Sequence, residues 1–90
     1  MDTTIAQIVG DNLTAQRRAL SLSRQAVCDR AGGIISDDSL GNYEAGRQSP
    51  TVEVLATLAV ALDVTLDALL VPAAHAGHRI VTRASRTHRR

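Results

Sequence analysis

The chain has 90 residues, enough for one domain with a modest core, and 44% of them are hydrophobic, a proportion typical of globular proteins. No apolar run approaches the roughly 18 residues of a membrane span, and the start of the chain lacks a basic segment followed by an apolar stretch. The single cysteine cannot form an intramolecular disulfide. We therefore expect a globular protein of the reducing cytoplasm, without a membrane partner.

The net charge of +1 conceals two segments of opposite charge. Residues 1–72 carry five arginines against all nine acids, a net charge of −4, whereas residues 73–90 carry five arginines and no acid. We predict a folded domain over 1–72 and a flexible basic tail over 73–90. Such a tail is typical of an arm that binds a polyanion, and the alternative is a terminus that only keeps the protein soluble.

Helical periodicity dominates the chain, and no stretch alternates in the manner of a strand. A first helix is predicted over residues 4–20. Its apolar stripe consists of Ile5, Ile8, Val9 and Leu13. A second helix begins after the N-cap Ser23 and runs to about Ala31, where Gly32-Gly33 ends it. Val27 and Cys28 are expected to face inward.

Two further helices are predicted after short loops. The third covers about 37–45, with Ser36 as its N-cap and Gly46 as its end. The fourth covers about 52–62 after the N-cap Thr51. Its predicted inner face consists of Val52, Leu55, Leu58, Ala59 and Leu62.

A short fifth helix is predicted after the N-cap Thr65, and Pro72 is expected to close the domain. This helix would hold Leu66, Leu69 and Leu70. The second and third helices are short, adjacent and separated by a turn that contains glycine. The pattern therefore predicts a compact, five-helix, all-α domain that contains a helix-turn-helix.

The segment from Leu22 to Leu70 resembles the Cro/lambda-repressor-like (XRE-type) helix-turn-helix family in the order and spacing of its residues. The matching positions are Leu22-Ser23, Ala31-Gly32, Tyr43-Glu44-Ala45-Gly46, Pro50, Leu55, Leu58-Ala59, Leu62, Val64 and Leu66-Asp67-Ala68-Leu69-Leu70. The longer turn from Gly32 to Ile35 and the glycine at position 41 are similar to the DNA-binding domain of actinobacterial BldD-type regulators.

The resemblance implies a sequence-specific transcriptional regulator, a repressor, that places its third helix in the major groove of double-stranded DNA. Members of the family commonly bind as homodimers to pseudo-palindromic sites. At the family's base-reading positions stand Asp37, Asp38 and Asn42. Asparagine can make a bidentate contact to adenine, whereas the aspartates either accept a hydrogen bond from cytosine or only reinforce the helix cap.

The resemblance also implies contacts to the DNA backbone. Phosphate contacts are expected from Arg24 and Arg47, and Gln25 is a weaker candidate. Ser36 and Ser39 either touch phosphate or simply cap and fill the start of the third helix.

Other residues are expected to serve the structure. The family places an arginine at the position of Arg17 to pair with the glutamate matching Glu44, which would lock the first helix to the third. Tyr43 is expected in the core rather than stacked on a base. Cys28 has no histidine nearby, so neither a metal nor a cofactor is expected. Gly41 costs about 1 kcal/mol relative to alanine in a helix, offset either by packing against the second helix or by close approach to DNA.

No nucleophile–base pair, metal cluster or phosphate-cradling loop stands out, so we do not expect an enzyme. The alternative function is protein interaction. An antitoxin would bind DNA and also mask a toxin, for which the tail is a candidate surface. An anti-repressor would use the same fold without binding DNA, and the acidic body with Asp37 and Asp38 is compatible with that role.

Overall fold

The structure is a computed structural model that describes residues 4–72, and the predicted tail over 73–90 lies outside this range. Within residues 4–72 there are four α-helices and one 3-10 helix, and no strand. In chain order these are α1 (Ile5–Ala19), α2 (Arg24–Arg30), α3 (Asp37–Glu44), α4 (Val52–Ala61) and the 3-10 helix (Asp67–Leu69). The all-α prediction is confirmed for this part of the chain. None of its helices has both the length and the apolar character needed to cross a membrane.

Each α-helix begins at a hydroxyl side chain that accepts a hydrogen bond from a backbone N–H in the first turn. This bond satisfies one of the donors that the start of a helix leaves without an intrahelical partner. The bonds measure 3.0 or 3.1 Å at the four caps Thr4, Ser23, Ser36 and Thr51. At α1 the side chain of Gln7 also accepts a hydrogen bond from the backbone amide of Thr4, which completes a capping box. The predicted caps of α2, α3 and α4 are confirmed.

The segment predicted as a fifth helix is a single 3-10 turn, so residues 4–72 contain four α-helices rather than five. Its hydrogen bonds span three residues, from the amide of Leu69 to Leu66 and from Leu70 to Asp67, both at 3.0 Å. Thr65 is not its cap, because the turn begins at Leu66 without a side-chain cap. The stretch before Pro72 is too short to offset the cost of nucleating an α-helix.

The core forms where the four α-helices and the 3-10 turn meet. Its largest fully buried apolar side chains are Leu13, Leu40, Leu58, Leu62 and Leu69. Three residues predicted to face inward do not: Ile5 is 60% exposed, Val52 72% and Leu70 39%. Ile5 and Val52 are the first residues of their helices, where the apolar stripe runs past the end of the core. Leu70 follows the last residue of the 3-10 turn, so an α-helical spacing does not apply to it.

Two buried polar residues of α1 hold the end of the domain in place. The side-chain amide of Gln16 donates to the carbonyl of Leu62 at 2.8 Å, just after α4 ends. The amide of Asn12 donates to the carbonyls of Leu69 and Val71 at 2.9 and 2.7 Å. These carbonyls lie at helix ends, where the chain has no further turn to supply donors. α1 therefore fixes the position of the described residues that follow α4, from Leu62 to Val71.

α1 also packs closely on the C-terminal end of α3, and Gly10 makes this possible. A Cβ atom at position 10 would lie 2.6 Å from the backbone oxygens of both Tyr43 and Glu44. No side chain larger than hydrogen fits there without moving one helix. This contact fixes how closely α1 approaches the end of α3.

The turn between α2 and α3 is built from two glycines in the left-handed region, Gly32 at φ 80° and Gly33 at φ 77°. The amide of Gly33 donates to the carbonyl of Cys28 at 3.0 Å, which closes the end of α2. Ile35 is buried and anchors the turn to the core, whereas its neighbour Ile34 is exposed. The predicted helix–turn–helix arrangement is thus present.

Candidate nucleic-acid interface

The α3 helix has one buried and one open face. Leu40 and Tyr43 point into the core, which agrees with the expectation that Tyr43 is a core residue rather than a base-stacking group. On the opposite face lies an open cleft of about 430 Å³. Its lining residues are Arg24, Asp37, Asp38, Gly41, Asn42, Ala45 and Arg47. Five of the eight residues proposed from the sequence to contact DNA therefore meet in one place.

The other three candidates do not line this cleft. Gln25 donates to Asp29 along α2 at 3.1 Å. The hydroxyl of Ser36 accepts the amide of Ser39 at 3.1 Å as the cap of α3, and it donates to the hydroxyl of Ser39 at 3.0 Å. The capping interpretation of the two serines therefore has direct support in the geometry.

At one end of the cleft, an arginine of α2 meets an aspartate of α3. Arg24 Nε lies 3.4 Å from Asp37 Oδ1, and the two side chains are 45% and 43% exposed. An ion pair so open to water contributes little to stability. The ion pair instead orients the side chain of Arg24, because it holds the guanidinium against the outer face of α3.

At the other end of the cleft, Arg47 orients the side chain of Asn42. Nη1 of Arg47 donates to Oδ1 of Asn42 at 3.1 Å. Only the amide oxygen can accept this bond, so the bond fixes which way round the amide lies. The NH₂ group of Asn42 is left with its donors directed away from Arg47 and available to an acceptor in the cleft. The second lone pair of its oxygen also remains available.

Below the cleft, the expected pair of Arg17 and Glu44 is in contact. The guanidinium bonds both carboxylate oxygens, with Nε to Oε2 at 2.7 Å and Nη2 to Oε1 at 3.1 Å. The side chains are only 16% and 9% exposed. The hydrogen bond to Glu44 raises the pKa of Arg17 even though burial alone would lower it. Nη1 also donates to the carbonyl of Leu22 at 3.0 Å, so one side chain ties α1 to the start of α2 and the end of α3.

Cys28 lies on the buried face of α2 and is 2% exposed. Burial raises the pKa of its thiol, which favours the unreactive protonated form. Within residues 4–72 no group of three or more His, Cys, Asp or Glu side chains is placed to hold a metal ion. The cysteine is thus a packing residue of the domain.

The charges of the cleft balance each other. Arg24 and Arg47 stand against Asp37 and Asp38, and residues 4–72 as a whole carry five arginines and eight acids. A cleft with mixed charges attracts a polyanion weakly over distance, whereas it can discriminate well between hydrogen-bonding patterns at contact. The cleft is open and lined with hydrogen-bond donors and acceptors, so it could bind the polar edge of another molecule.

The fold and this cleft define a helix-turn-helix protein, with α2 and α3 as the two helices of the motif. A comparison with protein families agrees, because the helix-turn-helix family matches residues 13–69, well over half of the chain. The chain belongs to this family in its Cro/C1 (XRE) type, whose members are DNA-binding transcription regulators. Searches among curated proteins and among solved structures returned no match.

Proposed function

We propose that the protein is a sequence-specific regulator of transcription, acting as a repressor, that inserts α3 into the major groove of double-stranded DNA. The observation that carries this proposal is the cleft on α3. Side chains from the start of α2, from α3 and from the loop after it converge there, opposite the face that Leu40 and Tyr43 bury. The major groove admits an α-helix and presents a distinct pattern of donors and acceptors for each base pair.

Asn42 is proposed as a base-reading residue. Its amide is oriented by Arg47, which reduces the conformational freedom that binding would otherwise remove. An asparagine in this state can donate to adenine N7 and accept from adenine N6 with its remaining lone pair. Arg47 itself lies at the rim of the helix, where a phosphate contact would set the register of α3 on the duplex.

Because the folded part of the chain is negatively charged, we propose that the arginines of the tail contribute to the affinity for DNA. Residues 4–72 carry a net charge of −3, from five arginines and eight acids, whereas residues 73–90 carry five arginines and no acid. Phosphate contacts supply most of the non-specific affinity of DNA-binding proteins. We propose that the tail provides these contacts, while the cleft on α3 provides the base preference.

We also propose that the protein binds as a homodimer to a pseudo-palindromic site. A single α3 of eight residues covers only a few base pairs, so two copies are needed to read a site of useful length. Two-fold symmetry would place the half-sites about 34–36 Å apart, one turn of the duplex.

The long turn with Gly32 and Gly33, together with Gly41, supports the BldD-type regulators as the related group within the family.

The direct test is a selection of duplexes from a randomised pool with the full chain, followed by titration of the selected and scrambled duplexes by fluorescence polarisation. The proposal predicts a selected motif with two-fold symmetry. It also predicts binding of that motif about 10³-fold or more tighter than binding of the scrambled duplex. Equal affinity for both duplexes would reject sequence-specific regulation.

A second candidate function is protein interaction, as an antitoxin or an anti-repressor. The observation in its favour is the negative charge of the body together with the pairing of Arg17 and Arg24 to carboxylates, which reduces the positive charge offered to DNA. An anti-repressor would show no duplex binding even at low salt. An antitoxin would bind DNA, so its distinguishing property is a tight complex with a second protein that survives at high salt.

A further inference from the structure

Gly41 lies in the middle of α3, directly beneath the guanidinium of Arg24. A Cβ atom at position 41 would lie 2.8 Å from Nη1 of Arg24 and 3.4 Å from its Cζ. One turn earlier on the same face, Oδ1 of Asp37 lies 3.4 Å from Nε. Two positions of α3 therefore hold a side chain of α2 on the open face of the helix. Glycine is a poor helix former, so its presence here indicates that the space above it is used.

We propose that Gly41 and Asp37 are positioning residues that set the guanidinium of Arg24 to read a guanine, so that Arg24 determines specificity instead of contacting phosphate. This inference rests on the proposed function, because it assigns a base to the same cleft. It also gives Asp37 a role other than reading cytosine.

The geometry of the guanidinium favours a base over a phosphate. Nε faces Asp37 in the ion pair, whereas the two terminal nitrogens make no hydrogen bond within residues 4–72 and form a planar fork. Such a fork matches O6 and N7 of guanine in the major groove. The carboxylate of Asp37 weakens the general attraction of Arg24 for phosphate. It leaves the direction of the remaining donors intact, and base reading depends on that direction.

The absence of a Cβ at position 41 leaves room for Nη1 and Cζ of Arg24 close to the backbone of α3, in the cleft that Asn42 also lines. Any larger residue would push Arg24 outward, away from the face of α3 that is proposed to meet the base edges. The obstacle would be the far end of a flexible side chain, so the fold itself would tolerate the change. A substitution at position 41 is therefore expected to change the base preference without lowering the stability of the fold.

The test is selection from a randomised duplex pool by the full-length protein and its variants. Wild type is expected to select a guanine at one position of each half-site. Arg24→Ala and Arg24→Lys should both lose the preference at that position by about 5- to 150-fold and keep the others, since lysine retains the charge without the fork. Arg30→Ala, a control that removes an equal charge from α2 outside the cleft, should leave every base preference unchanged.

Gly41→Ala tests the positioning role. It should relax the same base position as Arg24→Ala, while its melting temperature stays at or above that of wild type. The double variant Gly41→Ala/Arg24→Ala should behave like Arg24→Ala alone. A further loss in the double variant would show that position 41 contacts DNA itself, and an unchanged preference in Gly41→Ala would show that it does not position Arg24.

Two other results would overturn the inference and leave the proposed function standing. A uniform loss of affinity across all selected positions in Arg24→Ala would make Arg24 a phosphate contact. A wild-type motif without guanine in its half-sites would remove the proposed base. Failure of the wild type to enrich any motif would instead reject the proposed function.

Discussion

The same substitution at two helical glycines, Gly10→Ala and Gly41→Ala, should have opposite effects on stability. Helix propensity alone favours alanine by about 1 kcal/mol at each position. At position 10 the new Cβ would lie 2.6 Å from two backbone oxygens at the end of α3. A backbone cannot rotate away as a side chain can, so α1 and α3 must separate. Overpacking of this kind costs about 1–3 kcal/mol, and two simultaneous contacts point to the upper end.

The net expectation for Gly10→Ala is a loss of about 2 kcal/mol, the overpacking cost less the gain in propensity. At position 41 the new Cβ meets only the end of Arg24, which can turn into solvent. The substitution then loses an exposed ion pair of at most about 1 kcal/mol against the gain in propensity. The net effect of Gly41→Ala is expected to lie between zero and a gain of about 1 kcal/mol.

Thermal unfolding followed by circular dichroism measures both variants against the wild type. For a domain of this size, 1 kcal/mol corresponds to about 4–8 °C in melting temperature. Gly10→Ala should therefore melt about 8–16 °C lower, and Gly41→Ala at or slightly above the wild-type temperature. A Gly10→Ala protein that melts with the wild type would refute the close contact of α1 with α3. Equal destabilisation by the two variants would refute the distinction between backbone and side-chain neighbours.

Four further predictions concern single interactions. Arg17→Ala should lower the free energy of unfolding by about 3–5 kcal/mol, because it leaves the carboxylate of Glu44 largely buried and unpaired; urea denaturation measures this. Asn12→Leu should lower it by about 1–3 kcal/mol, because buried carbonyls at the end of the domain lose their donor. Asn42→Ala should weaken binding to the selected duplex by about 1–3 kcal/mol in polarisation titrations, with little change on a scrambled duplex. Truncation after Pro72 should make the plot of log affinity against log salt shallower by about 0.9 for each phosphate that the tail neutralises in the full chain.

Arg17→Ala has a matched control variant, and each of the four predictions has a contrary result. Arg18→Ala removes an exposed arginine next to Arg17 and should change stability by no more than about 0.5 kcal/mol. Stability equal to wild type in Arg17→Ala would remove the structural role of the pair, and the same result in Asn12→Leu would show that the end of the domain is held by other contacts. Equal losses on both duplexes would make Asn42 a structural residue. An unchanged salt slope after truncation would show that the tail does not contact DNA.

The parts of the fold that could be predicted from the sequence are those decided by near neighbours. Ser23, Ser36 and Thr51 cap their helices through bonds to amides three residues away, so the sequence shows both partners together. The contacts that hold distant parts of the fold together are of another kind. Gln16 and its carbonyl partner are 46 residues apart, and the space around Gly10 is made by α3. No local pattern carries that information.

For the candidate site, the sequence predicted the residues but not the contacts between them. The resemblance to a family pointed to Arg24, Asp37, Asn42 and Arg47, and the structure brings all four into one cleft. It could not show that these side chains pair with each other. The pair of Arg24 and Asp37 depends on the distance between α2 and α3. The pair of Arg47 and Asn42 depends on the path of the loop after α3. The sequence also left two explanations open for Gly41, and the guanidinium of Arg24 above it favours packing against α2.

Methylation interference on the selected duplex tests the central claim, that α3 binds in the major groove, most directly. Dimethyl sulfate methylates guanine at N7 in the major groove and adenine at N3 in the minor groove, so one reagent marks both sides of the duplex. The bound fraction should be depleted of N7-methylated guanines at symmetric positions in the two half-sites. Binding that is indifferent to these major-groove methyl groups would contradict the placement of α3.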